Sequence, residues 1–154
     1  MKFVCDDNLG RLARWLRTLG FDTVFRAEFC DTDVLTVALN DGRTILTRDT
    51  RLADKALARD LILLSSSDPL EQLKDVLHRQ ALIIQADSVF TRCPCCNTPV
   101  ATVSKEEAAS RIPPYVYRTK DRFTCCTSCG RIYWRGTHVE RMIEYLRAAG
   151  ITIG

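Results

Sequence analysis

Lys2-Phe3-Val4-Cys5-Asp6-Asp7-Asn8-Leu9-Gly10-Arg11-Leu12-Ala13-Arg14-Trp15-Leu16-Arg17-Thr18-Leu19-Gly20 begins as one kind of element and ends as another. Lys2 to Cys5 reads as a short buried strand. Leu9, Leu12, Ala13, Leu16 and Leu19 then recur at helical spacing, and Gly20 stops the helix. Arg11, Arg14 and Arg17 fall on the opposite side, so an apolar stripe faces a core and an arginine row faces outward. The junction carries the acidic pair Asp6 and Asp7.

The same alternation continues outward from this unit. Phe21 to Phe25 suggests a second strand, and a helix from Asp31 or Thr32 puts Val34, Leu35, Ala38 and Leu39 on one face before Asn40-Asp41-Gly42 ends it. Thr44 to Thr47 is the next strand, Leu52 to Leu57 looks helical, and Leu61 to Leu64 is a fourth strand. Ser67-Asp68-Pro69 caps a helix that carries Leu70, Leu73, Val76 and Leu77. Strands alternating with helices imply an α/β fold: a parallel sheet flanked by helices on both faces. After about residue 85 the pattern changes to clustered cysteines, a Pro113-Pro114 break and short aromatic runs at Tyr115–Tyr117 and Ile132–Trp134. We therefore divide the chain into an α/β domain at 1–85 and a small β-rich module at 86–154, with a last helix over Val139–Leu146.

With 46% hydrophobic and 27% charged residues among 154, the chain suits one ordinary core or two small ones. The first residues reach acids too early for a signal-peptide apolar region. No later apolar run nears the roughly 18 residues needed to span a bilayer. We expect a cytoplasmic protein with no membrane association. Residues 1–85 hold 12 Lys/Arg against 13 Asp/Glu, and residues 86–154 hold 10 against 6, so the second part is the basic one. Four thiolates around a zinc ion would leave it only mildly basic, a balance that permits nucleic-acid binding without demanding it.

Eight cysteines in a reducing compartment are not expected to pair, and six of them crowd into Cys93-Pro94-Cys95-Cys96-Asn97 and Cys125-Cys126-Thr127-Ser128-Cys129-Gly130. Each cluster contains a C-x-x-C pair, which lets a hairpin turn present two sulfurs to one tetrahedral ion. Cys95 and Cys125 make the register ambiguous, but knuckle turns need a residue tolerant of positive φ after the outer cysteine, and Asn97 and Gly130 both qualify. This selects Cys93, Cys96, Cys126 and Cys129 as ligands of a structural zinc, since four thiolates leave no position for a catalytic water. Cys5 and Cys30 read as small buried apolar residues.

In a parallel sheet, functional groups gather at the carboxyl ends of the strands. Asp6 and Asp7 follow the first strand and Asp49 follows the third, while Asp31 and Asp33 open the second helix, where capping is an equally ready role. Carboxylates converging on one edge repel one another unless a hard cation sits between them, so the set points to Mg²⁺ or Mn²⁺ and to metal-assisted phosphodiester chemistry. His78 and His138 lie away from these segments and offer no competing dyad.

Four motifs resemble those of the Mut-seven C-terminal RNase domain family, across nearly the whole chain: Phe3 to Arg17, Leu46-Thr47-Arg48-Asp49, Arg92 to Asn97, and Phe123 to His138. The resemblance implies a PIN-like fold followed by a zinc ribbon, a metal-dependent ribonuclease activity, and Asp6, Asp31 and Asp49 as the metal-binding acids. Asp7 stands where the family more often has a small residue, and the alignment leaves Asp31 or Asp33 open. Asp7 and Asp33 are thus supporting acids. Asp54 is either a fourth carboxylate or a helix-surface residue. Arg14, Arg17 and Arg48 would contact RNA phosphates, whereas Tyr133 and Trp134 suit packing around the zinc site better than stacking on bases. Two other functions compete. One is a non-catalytic RNA-binding adaptor. The other is a phosphoacceptor receiver-like domain, which would need a lysine after a fifth strand.

Overall fold

The alternating segments form four parallel strands and four helices. These are β1 (Lys2–Cys5), α1 (Gly10–Thr18), β2 (Asp22–Val24), α2 (Asp31–Asp41), β3 (Thr44–Thr47), α3 (Thr50–Lys55), β4 (Leu61–Leu63) and α4 (Pro69–Arg79). The computed structural model describes residues 1–56 and 60–154, so the expected helical residue Leu57 lies outside the described residues.

The strand order is β2-β1-β3-β4, with Val4 paired to Val24 and to Ile45, and Leu46 paired to Ile62. The chain steps outward from β1 to β2, then crosses back to build the other side. The carboxyl ends of β1 and β3 therefore flank the topological switch point, the usual place for a ligand crevice in an open α/β sheet. Alternate side chains feed two cores. Phe3, Cys5 and Leu46 pack with Leu12, Leu16, Leu73 and Val76 under α1 and α4, while Val4 and Ile45 pack with Val34, Ala38 and Leu52 under α2 and α3. Leu39, expected on the buried face of α2, is 65% exposed. It sits one residue past Ala38, about 100° further round the helix.

Beyond α4 come β5 (Val100–Val103), α5 (Lys105–Ala108), a 3₁₀ turn at Ala109–Arg111, α6 (Pro114–Thr119), β6 (Phe123–Cys126), β7 (Ile132–Trp134) and α7 (Thr137–Ala148). β5, β6 and β7 form an antiparallel sheet around a third core of Ala108, Ile112, Val116 and Phe123. The C-terminal segment returns to the first core, where Leu146, Ile151 and Ile153 are buried and Ile153 bridges to Ile84. Gly20 sits where the connecting segment crosses α1. Its φ is +94°, and a Cβ there would lie 2.5 Å from the Ser88 carbonyl oxygen. No helix among the described residues is long and apolar enough to cross a membrane.

Candidate metal centre and active site

Both cysteine loops fold as the positive-φ rule requires. Asn97 has φ 69° and donates its N–H to the Cys93 carbonyl at 2.9 Å; Gly130 has φ 73° and donates to the Cys126 carbonyl at 2.8 Å. The sulfurs of Cys93, Cys96, Cys126 and Cys129 all lie within 4.8 Å of one another. The Cys93–Cys129 and Cys96–Cys126 sulfur separations are 3.7 and 3.3 Å. A tetrahedral zinc with Zn–S of about 2.3 Å needs sulfurs about 3.8 Å apart, so the cluster is one that zinc could occupy. Cys95 and Cys125 stand outside it, near Arg131 and Arg111 respectively. Burial works against ionisation of Cys96, but hydrogen bonds from Cys126, Cys93 and Thr98 bring its thiol down to about 6. Cys93, similarly, is held below its ordinary value despite burial, chiefly by the Tyr133 hydroxyl 3.0 Å away. Tyr133 thus serves the cysteine cluster.

Cys5 is buried as expected, and burial pushes its thiol up to about 12. Cys30 is not. It is exposed at the N-terminus of α2, where its N–H donates to Asp33 Oδ2 at 3.0 Å. A helix start needs a partner for its free amides more than it needs an apolar side chain.

The acids gather round β1, β3 and α3 with different partners. Asp6 is 5% exposed; its Oδ2 accepts the Thr47 hydroxyl at 2.7 Å and its Oδ1 the Asp7 N–H at 2.8 Å. The Thr47 hydroxyl in turn accepts the Asp49 N–H at 2.9 Å. One hydroxyl therefore ties the acid after β1 to the acid after β3. Asp49 caps α3 through the Arg51 N–H at 2.8 Å, and the Arg51 side chain holds its carboxyl below the ordinary value. Asp31 reaches across to Lys55 on α3 at 2.7 Å, whereas Asp33 turns back onto Cys30. Asp7 and Asp54 are exposed. Among the described residues the four cysteines are the only close-set metal-ligand group, and the aspartates do not form a second one.

The arginine row divides. Arg11 and Arg14 are exposed, but Arg17 is buried, correcting its expected outward position. Its guanidinium donates to the carbonyls of Thr23 at 2.8 Å, Cys95 at 2.8 Å and Pro94 at 3.3 Å, pinning the first cysteine loop onto α1. Asn97 adds a second clamp, accepting the Thr23 N–H at 2.9 Å and donating to Asp22 Oδ1 at 2.8 Å. Exposed Arg48 lines a cleft with Arg11, Arg14 and Arg131. Thr47 and Arg11 carry no site role in the reading from sequence, whereas Arg131 and Arg135 offer themselves there as ribbon contacts to RNA. For Thr47 the signal was its place between two strand-end acids.

A sequence model of the Mut7-C RNAse domain matches residues 1–146. The chain belongs to this family. Comparisons with curated proteins and with solved structures give no match. Membership covers both the acidic α/β half and the cysteine half, so the two are parts of one family unit.

Proposed function

We propose that the chain is a cytoplasmic metal-dependent ribonuclease, with a nuclease domain at 1–85 and a zinc ribbon at 86–154 that lends its last helix back to the first core. The observation that carries the reading is the Asp6–Thr47–Asp49 link at the switch point of a chain whose family is an RNase domain. Magnesium is commonly bound by only one or two carboxylates, with waters and substrate phosphates completing its sphere, so Asp6 and Asp49 suffice as a protein-side platform. Asp31 is the third acid, with Asp7 and Asp33 in support. When bound, Mg²⁺ or Mn²⁺ would activate a water and offset charge developing on the phosphodiester. Thr47 orients Asp6, and the exposed arginines receive the strand. Structural zinc, held by Cys93, Cys96, Cys126 and Cys129, fixes the ribbon against α1.

The ion pairs Asp31–Lys55 and Asp49–Arg51 favour a second reading, a non-catalytic RNA-binding adaptor. They argue for it weakly. The Lys55 and Arg51 side chains are 58% and 85% exposed, and such surface pairs contribute only about 0–1 kcal/mol, which a divalent cation readily outcompetes. A receiver-like domain is disfavoured further, because the parallel sheet has four strands among the described residues.

The deciding experiment is cleavage of defined RNA oligonucleotides with Mn²⁺ or Mg²⁺. Omission of the divalent ion from the zinc-loaded protein, Asp6→Asn and Asp49→Asn should each abolish it while circular dichroism stays unchanged. Undiminished cleavage by both variants would sink the catalytic assignment, and RNA binding without cleavage in any divalent ion would install the adaptor.

A further inference from the structure

Two cavities open between α1 and the first cysteine loop, and they run into each other. The first, about 740 Å³, begins at Asn8 and Arg48, immediate chain neighbours of Asp7 and Asp49, and ends at Pro94 and Arg131. Among the described residues five arginines line it and no carboxylate does. Arg17 is committed to backbone carbonyls, but Arg11, Arg14, Arg48 and Arg131 are exposed, and none is ion-paired to a carboxylate among the described residues. The second cavity, about 580 Å³, shares Arg11, Arg14 and Arg131 with the first and adds Trp15, Phe90, Tyr133 and Met142.

The apolar bay is held in place from behind. Tyr145, which does not line it, stacks on Trp15 with centroids 6.4 Å apart and planes 20° apart. Phe90 sits at φ 63°, an uncommon conformation for an aromatic residue, fixed by its N–H donating to the Thr18 carbonyl at 2.8 Å. A row of arginines without carboxylate partners, two of which (Arg14 and Arg131) touch the Cys95 sulfur, leads into a pocket of flat rings and supplies the two components that bind single-stranded nucleic acid: a cationic track for the backbone and stacking surfaces for bases. Its volume falls within the roughly 300–1,000 Å³ of small-ligand pockets, room for an unstacked base, whereas a base within a duplex has its faces covered by its neighbours and cannot lie against the rings.

We propose that this cleft is the path of single-stranded RNA toward the acids. Phosphates lie along Arg11, Arg14, Arg48 and Arg131, and one unstacked base enters the bay against Trp15 and Phe90. The choice of RNA rests on the ribonuclease reading. The cleft itself selects a flexible polyanion with flat apolar rings.

The chain has two tryptophans, so Trp134→Phe in the full-length, zinc-loaded protein leaves Trp15 as the only indole reporter. Titrated without Mg²⁺ or Mn²⁺ with a single-stranded RNA of about 12 nucleotides, within the site sizes usual for such grooves, its emission should be quenched saturably. Anisotropy should show Trp15→Leu in the parent chain binding about ten-fold more weakly, the loss expected for one stacked base. A duplex of the same sequence should leave the emission unchanged. The proposal is overturned if Trp15 stays silent at saturation, if Trp15→Leu binds as tightly as the parent, if the duplex quenches equally, or if uridine monophosphate binds as tightly as the strand. Binding with quenching but no cleavage in any metal ion would keep the cleft and remove the nuclease reading. Cleavage with a silent Trp15 would do the reverse.

Discussion

The Thr47 hydroxyl donates to Asp6 across 2.7 Å while accepting the Asp49 N–H at 2.9 Å, so the orientation of the buried acid depends on a residue of the neighbouring strand. Thr47 touches no substrate in this reading. It is a positioning residue. Thr47→Val keeps the shape and the β-branch but loses the hydroxyl, and removal of comparable supporting groups costs roughly 10- to 100-fold in metal affinity or activity. We expect cleavage to fall by that amount, with the Mn²⁺ concentration for half-maximal rate rising, and stability to fall by about 1–3 kcal/mol because the buried Asp6 carboxylate and the Asp49 N–H lose a partner. Thr47→Ser should restore both kinetic values. Undiminished cleavage by Thr47→Val, with a loss only in Thr47→Ser, would show that Thr47 merely fills space.

The cysteine loops give a second test, since the chosen register leaves Cys125 out. Elemental analysis should find one zinc per chain, because two C-x-x-C pairs complete one tetrahedral site. Cys126→Ser should lose that zinc and loosen the β5–β6–β7 sheet, seen as faster amide exchange at Phe123 and Trp134. Cys125→Ser should retain zinc, since that sulfur faces Arg111 and the Cys126 carbonyl rather than the other thiols. Greater damage from Cys125→Ser would mean that the register is wrong.

What could be read from sequence was what neighbouring residues decide. The strand-to-helix change at Asp6, the Asp68-Pro69 cap and the positive φ at Asn97 and Gly130 each depend on a few adjacent side chains, and all are present in the structure. Where partners are distant, the sequence pattern misled. Helical spacing placed Arg17 with Arg11 and Arg14, but each three-residue step drifts about 60° round a helix, and Arg17 ends on the flank. There its partners Pro94 and Cys95 stand 77 and 78 residues away. The return of Leu146 and Ile153 to the first core was hidden for the same reason, since an amphipathic helix shows that it packs but not against what.

Arg17 and Arg14 should consequently part company under mutation, although they lie one turn apart on the same helix. Arg17→Gln strands buried carbonyls of Thr23 and Cys95 and should destabilise the fold by about 3 kcal/mol, read from the denaturation midpoint, because hydrogen bonds from a charged donor contribute about 1.5–3 kcal/mol each. Arg14→Gln should leave stability alone and lower the log–log salt slope of RNA binding by about 0.7, the value for one phosphate contact on a single strand. If Arg17→Gln changes the slope and not the stability, its guanidinium serves the RNA rather than the junction.

Asp22 makes the junction sensitive to acid. Burial alone would raise its carboxyl, but hydrogen bonds from Arg43 and Asn97, with the charges of Arg43 and Arg92, outweigh this and hold it below its ordinary value of 3.8. The Arg43 pair is at 2.6 Å and the Arg92 pair at 3.6 Å, so one carboxylate joins the start of β3 to the first cysteine loop. A group whose folded value is depressed contributes stability that is fully present above the unfolded value and disappears as the pH falls through the folded one. Asp22→Asn should therefore be less stable than the parent at neutral pH, and the difference should shrink below about pH 4, where the unfolded carboxylate protonates. Acid also strips thiolate-bound metal, which would lower both proteins together. Ser88→Ala provides the control, because it removes a neutral hydrogen bond to the Leu19 carbonyl at the same junction. Its deficit should persist over the range in which the Asp22→Asn deficit closes. Parallel closure of the two would trace the acid sensitivity to metal loss, and an Asp22→Asn deficit that is flat with pH would mean that the charge on Asp22 does not stabilise the junction.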